Sequence, residues 1–197
     1  MKTLLLIVAI CATAVVSSPP APAAGFSRHG LPNGLTVIVS TNPSADLVSV
    51  QVITAAGQRM MEPGQPGIAA FVTSMLPRGT RRRNAQEIAV AVEAVGGTIG
   101  TSTAQDYSQL STITPSRHID LALDVLADMV TNAKFDPADI DTQRRITLSV
   151  IRQRLDQPSI RVQELAGGGI FPYHPYGLPL AGTIDSISAL TRDDLVR

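Results

Sequence analysis

Apolar residues follow two periods along this chain, and the change of period separates strands from helices. From Leu47 to Thr54 they alternate, with Val48, Val50 and Val52 on one side and Ser49 and Gln51 on the other, which predicts a half-buried strand. Upstream, Leu31-Pro32-Asn33-Gly34-Leu35 sets Asn-Gly between two apolar segments, a strong hairpin signal, and the strand leaving it is Leu35 to Ser40. Pro66 opens a helix through Leu76. A second helix starts at Asn84, whose side chain can cap while Glu87 closes the capping box. It buries Ile88, Ala91, Val92 and Val95 and stops at Gly96-Gly97. β-Branched residues dominate Thr98 to Thr103 and Tyr107 to Thr114, which predicts two adjacent antiparallel strands.

The second half reads as helical. Pro115-Ser116 caps a helix with Ile119, Leu123, Leu126 and Met129/Val130 as its core face, ending near Asn132. Asp136-Pro137 starts the next, which runs to about Gln157. A third begins around Ser159, and Gly167-Gly168-Gly169 should fray or end it. That glycine run reads as a loose connection before Phe171, with a mobile peptide-contacting loop as the alternative. Strands first and helices after imply the α+β class, an antiparallel β-sheet with helices packed on one face.

Composition narrows the setting. Lys2, the apolar run Leu4 to Val16 and the A-x-A site Ala21-Pro22-Ala23 mark residues 1–24 as a cleaved signal peptide, so the exported chain starts near Ala24. The only cysteine, Cys11, lies inside that segment, preceded by bulky Ile10, which argues against lipidation; the mature chain has no disulfide to make. Export without cysteines suits a periplasmic or secreted protein, with no membrane association after signal removal. Residues 25–197 make one domain of ordinary size. Sixteen basic residues balance sixteen acidic ones, so nothing draws the chain to nucleic acid. The run Arg78, Arg81, Arg82, Arg83 reads as a solvated loop between helices. His29, His118 and His174 are scattered and read as turn or surface residues, and no G-x-S-x-G elbow or phosphate loop occurs.

Several stretches taken in order resemble the insulinase/pitrilysin family of zinc metallopeptidases, whose metal helix reads H-x-x-E-H. They are Leu31 to Val37, Gly79-Thr80 with Arg83 to Ile88, Val95-Gly96-Gly97, Leu123 to Asn132, Phe135-Asp136-Pro137, His174-Pro175-Tyr176-Gly177, and Leu190 to Leu195. The resemblance covers nearly the whole of residues 25–197 and implies an N-terminal peptidase-like domain with the processing-peptidase type of fold. Set against the family's G-L-A-H-F-L-E-H-M, residues Gly67, Ala69, Phe71 and Met75 match, but Ala70 and Ser74 stand at the histidine ligands and Thr73 at the general base. In the later segment Gln143 to Ile151, Val150 stands at the glutamate ligand and Gln143 at the carboxylate that supports the site. Ala70 and Val150 have no donor atom, and a neutral hydroxyl is a poor zinc ligand and a poor base near neutral pH. No catalytic residue, metal ligand or cofactor is therefore expected in this chain, and zinc only where a partner chain supplies the site.

The resemblance implies a role without hydrolysis. Family members assemble as two halves enclosing a chamber in which peptide adds as a strand, so a degenerate chain can serve as the non-catalytic half beside an active peptidase chain, as a heterodimer. The possible peptide edge here is Gly100-Thr101, where active relatives often carry Asn-Ala. Two other readings remain open: a structural or assembly subunit with no peptide role, and an active zinc metalloendopeptidase with a displaced site. Family domains continue past the segment matching Leu190 to Leu195, so this domain is expected to be incomplete at its C-terminus, the last strands being absent.

Overall fold

The computed structural model describes residues 25–61 and 64–197; the predicted signal peptide lies outside the described residues. Two compact units divide between Ala45 and Asp46. The first contains an antiparallel hairpin of β1 (Phe26–Gly30) and β2 (Thr36–Ser40). Its turn is closed by the Gly34 N–H donating to the Leu31 carbonyl at 2.9 Å, while the Leu31 N–H donates to Leu35 at 2.8 Å. Gly34 has φ 87°, so the predicted Asn-Gly signal acts through a three-residue loop with glycine in the left-handed region.

In the second unit β3 (Leu47–Thr54), β4 (Thr98–Thr103) and β5 (Ser108–Pro115) form an antiparallel sheet in the order β3-β5-β4. Alternation decides which face is covered. On β5, Ser108, Leu110, Thr112 and Thr114 are buried while Gln109, Ser111 and Ile113 are more accessible. Helix α2 (Ala85–Glu93) and α3 (Ile119–Thr131) lie over the buried face, where Ile88, Val92, Val125, Leu126 and Met129 meet Leu110, Val50, Val52 and Ile99. This is the expected α+β arrangement. A second core joins α1 (Ile68–Met75), α4 (Pro137–Leu155), α6 (Ile184–Ala189) and α7 (Arg192–Val196) through Phe71, Met75, Ile140, Ile151, Ile187 and Leu195.

Local signals set several boundaries. The Asn84–Glu87 capping box is formed in both directions. Asp136 caps α4 through the Ala138 N–H. Helix α1 is shorter than expected because Gly67, at φ 90°, turns the chain into it, and the segment Leu76–Arg78 tightens to a 3-10 turn. Gly67 and Gly182 interlock: a Cβ on Gly67 would lie 2.6 Å from the Gly182 backbone, and one on Gly182 would lie 2.6 Å from the Pro66 carbonyl oxygen.

Two expectations are corrected. The buried stripe of α3 is Ala122, Val125, Leu126 and Met129, whereas Ile119, Leu123 and Val130 are 41%, 49% and 42% exposed. The buried face of this helix also carries the carboxylate of Asp128, which receives hydrogen bonds from Thr80, Arg83 and Asn132. The second correction concerns Gly167-Gly168-Gly169, which neither fray nor end α5 (Pro158–Ile170). Intrinsic cost, about 1 kcal/mol per glycine, is a preference that tertiary contact can override. Here the turn Pro175–Gly177 folds back on that helix face, and Gln58 holds it by donating to the carbonyls of Pro175 and Leu178. The glycine run is therefore part of a helix, and neither a loose connection nor a loop.

Candidate functional site

Helix α1 presents three stripes. Phe71 and Met75 enter the core beside Ile140 and Ile151 of α4. Ile68, Ala69, Val72, Thr73 and Leu76 line one wall of an open cavity of about 600 Å³, whose other walls include Val52 of β3 and Leu110 of β5. Ala70 and Ser74, four residues apart, share a third stripe and are half-buried. Thr73, buried, donates its hydroxyl to the Ala69 carbonyl at 2.8 Å, and Ser74 donates to the Phe71 carbonyl at 2.7 Å. Both hydroxyl protons are thus committed to their own helix.

The α4 residues of the candidate site flank the stripe that packs on α1. Gln143 is buried; its side-chain oxygen accepts from the Arg78 guanidinium at 2.9 Å and its amide donates to Thr147 at 3.4 Å. Val150, one heptad on, is 45% exposed. Arg78 follows α1 directly in the Leu76–Arg78 turn, so the side chain at the supporting-carboxylate position, Gln143, is a neutral amide engaged by a guanidinium. This donor set does not fit zinc: Ala70 and Val150 offer nothing, the hydroxyls of Thr73 and Ser74 are engaged, and Gln143 is neutral and bonded to Arg78. Among the described residues, no three His, Cys, Asp or Glu side chains come together as a group that could hold a metal ion.

The histidines lie apart. His29 meets the Ser27 hydroxyl on the hairpin, His118 precedes α3, and His174 accepts the Tyr176 N–H within an aromatic cluster with Phe171. Gly100 and Thr101 sit on β4, which pairs with β5 on one side and carries no partner on the other among the described residues.

Sequence reasoning missed the polar network that braces the turn before α2. Thr80 donates to Asp128 at 2.8 Å, Arg83 donates to it at 2.9 Å, and Asn132 to its other oxygen at 2.9 Å. Arg83 and Arg82 also reach Asp124. The arginine run is therefore tied down at Arg78, Arg82 and Arg83, in place of the solvated loop expected. Burial works against the charged form of Asp128, but hydrogen bonds from Thr80, Asn132 and Arg83 outweigh it and hold the carboxyl below the usual carboxylate range. Asp124 is held low chiefly by the Arg83 hydrogen bond. The available signal was the i, i+4 spacing of Asp124, Asp128 and Asn132 on one helix face opposite a basic run.

Comparison with known proteins agrees with this frame. The family model described as insulinase (peptidase family M16) matches residues 36–184. An uncharacterized zinc protease of Mycobacterium leprae is 33% identical over 175 residues, which cover 89% of this chain and 39% of that protein. Another, from Streptomyces coelicolor, is 32% identical over 170 residues, covering 86% and 37%. The chain thus spans about two fifths of the length of these relatives. A crystal structure of an inactive peptidase M16 domain from Pseudomonas fluorescens superposes with a TM-score of 0.82 at 20% identity, covering 87% of this chain and 42% of that one. A protease from Helicobacter pylori superposes at 0.80 with 22% identity, covering 88% and 42%. These likenesses carry the fold, and the family match with the relatives above 30% identity carries the lineage: the chain belongs to the insulinase family, peptidase family M16.

Proposed function

We propose that this chain is a non-catalytic homologue of a zinc metallopeptidase and acts as the partner half of a peptide-degrading chamber. It would hold extended peptide for an active chain of the same family, and that chain would supply the zinc. The observation that carries the reading is joint replacement within an intact frame: Phe71 and Met75 still pack α1 on α4, while Ala70, Thr73, Ser74, Val150 and Gln143 stand where ligands, base and supporting carboxylate belong. The inactive-domain description of the Pseudomonas fluorescens relative supports a family that accommodates such halves. The unpaired edge of β4 offers backbone groups to an added strand, a mode of binding that does not need the metal. With the signal peptide of residues 1–24, the pair would work in the periplasm or outside the cell.

The test measures zinc by elemental analysis and peptide hydrolysis by the purified chain, alone and mixed with an active family member from the same organism. No stoichiometric zinc, no cleavage alone and faster cleavage by the mixture are expected. Stoichiometric zinc with cleavage by the chain alone would establish a displaced active site instead. A stable complex whose turnover matches that of the active chain by itself would establish an assembly subunit.

A further inference from the structure

We propose that the hollow between the turn Arg78 to Asn84 and Lys134 binds a single carboxylate, held by the guanidinium groups of Arg78 and Arg81.

The hollow, about 230 Å³, is walled by that turn, by Lys134 and by Asp139 of α4. Two segments some fifty residues apart in sequence are stitched together to make it. The Thr80 N–H donates to the Arg83 carbonyl at 2.8 Å, the Arg81 N–H to Asn132 at 2.9 Å, and the Lys134 N–H to Gly79 at 3.0 Å. The N–H groups of Arg82 and Arg83 are taken by the Thr80 hydroxyl, and that of Asn84 by Glu87. Every backbone donor from Thr80 to Asn84 is therefore spent, so an anion here is held by side chains and not by a backbone nest.

The cations differ in what they already hold. Arg82 and Arg83 are engaged by Asp124 and Asp128, and Lys134 forms an exposed pair with Asp136 at 3.0 Å. Arg78 donates to Gln143, a neutral amide, which fixes the guanidinium and leaves its charge uncompensated. Arg81 is exposed and pairs with no carboxylate among the described residues. Asp139, in the first turn of α4, is likewise without an ion pair among the described residues. Two positive charges thus meet one negative charge on these walls, an excess of one.

That excess sets the charge of the ligand, and the guanidinium forks set its shape. A planar carboxylate accepts paired N–H groups from one guanidinium and a further bond from the other. Its single charge balances the site. A phosphate dianion would bring its second charge against Asp139.

The test follows the side-chain N–H signals of Arg78 and Arg81 by NMR in the purified chain. The probes are acetate, the capped peptide Gly-Gly-Glu-Gly-Gly, its glutamine counterpart and inorganic phosphate. Saturating shifts are expected with acetate and the glutamate peptide, none with the glutamine peptide, and phosphate is expected to bind roughly fivefold more weakly than acetate. A glutamate peptide that saturates well below acetate assigns the carboxylate to an acidic side chain of a polypeptide; equal saturation assigns it to a free acid, and either supports the site. Arg81→Gln, at an exposed position, is expected to weaken acetate roughly tenfold. Arg117→Gln removes the same charge outside the hollow and should leave acetate unchanged, while Asp139→Asn should bring phosphate level with acetate. Shifts that rise without saturating, a glutamine peptide that binds as well as glutamate, or an Arg81→Gln chain that binds as before would overturn the site. Phosphate binding tighter than acetate on the unaltered chain would overturn the carboxylate assignment.

Discussion

Thr73 and Ser74 show how a helical hydroxyl can be committed to its own backbone. Each donates to a carbonyl of its own helix, so neither proton is free for substrate or water. Thr73→Ala and Ser74→Ala are therefore expected to shift stability by less than about 1 kcal/mol and to leave turnover by a reconstituted pair unchanged. A tenfold fall in that turnover with stability intact would give the hydroxyls a chemical role. Asp128 is the opposite case, a buried carboxylate with every contact committed. Asp128→Ala leaves the Thr80 hydroxyl and one arm of Arg83 without their acceptor while Asp124 keeps the other arm, at a cost of about 2 kcal/mol measurable by urea unfolding. Because its carboxyl is held low in the folded protein, the stability it contributes is complete above the unfolded value near 3.9 and is lost as pH falls through the lower folded value. Asp128→Asn should accordingly flatten the acid limb of the stability curve below about pH 4. An unchanged limb would mean that other carboxylates govern acid unfolding.

Among the elements, those announced by local chemistry were legible and those shaped by distant contacts were not. The alternation of Val48, Val50 and Val52 and the Asn84–Glu87 box each carry their instructions within a few residues, and both elements form as expected. The short helices α6 and α7 also carry such signals, the boxes Thr183 to Ser186 and Thr191 to Asp194, but each helix spans too few residues for a hydrophobic period to show. On α3 the partners of buried Asp128, Thr80 and Arg83, lie more than forty residues away, and periodicity cannot see that distance. The α5 glycines make a similar point. A Cβ on Gly168 would meet only the Gly177 carbonyl oxygen at an ordinary 3.7 Å, and one on Gly169 would meet nothing within 4 Å. Gly168→Ala and Gly169→Ala should each raise the midpoint of thermal unfolding, by up to about 1 kcal/mol in stability. Gly177→Ala should lower it, since its Cβ would overlap the Phe171 carbonyl oxygen. At the start of α1, Gly67→Ala forces a left-handed residue against Gly182 and should cost at least about 2 kcal/mol by urea unfolding. Less than half that loss would show that the interlock yields easily.

For the molecule as a whole, sequence assigned the candidate residues to two helices, and α1 and α4 carry them. It could not place Arg78 against Gln143, a contact between segments 65 residues apart. Two global properties are open to direct measurement. N-terminal sequencing of the exported protein should begin near Ala24; retention of Lys2 would overturn the reading of residues 1–24 as a cleaved signal peptide. The 600 Å³ cavity between α1 and the sheet, walled by Val52, Ile68, Val72 and Leu110, should make residues 25–197 produced alone enhance the fluorescence of an apolar dye, and a silent dye would mean that the cavity closes in solution. The Arg78–Gln143 hydrogen bond also fastens the turn after α1 to α4, so the two helices that carry the candidate site are joined by a polar clasp as well as by the packing of Phe71 and Met75.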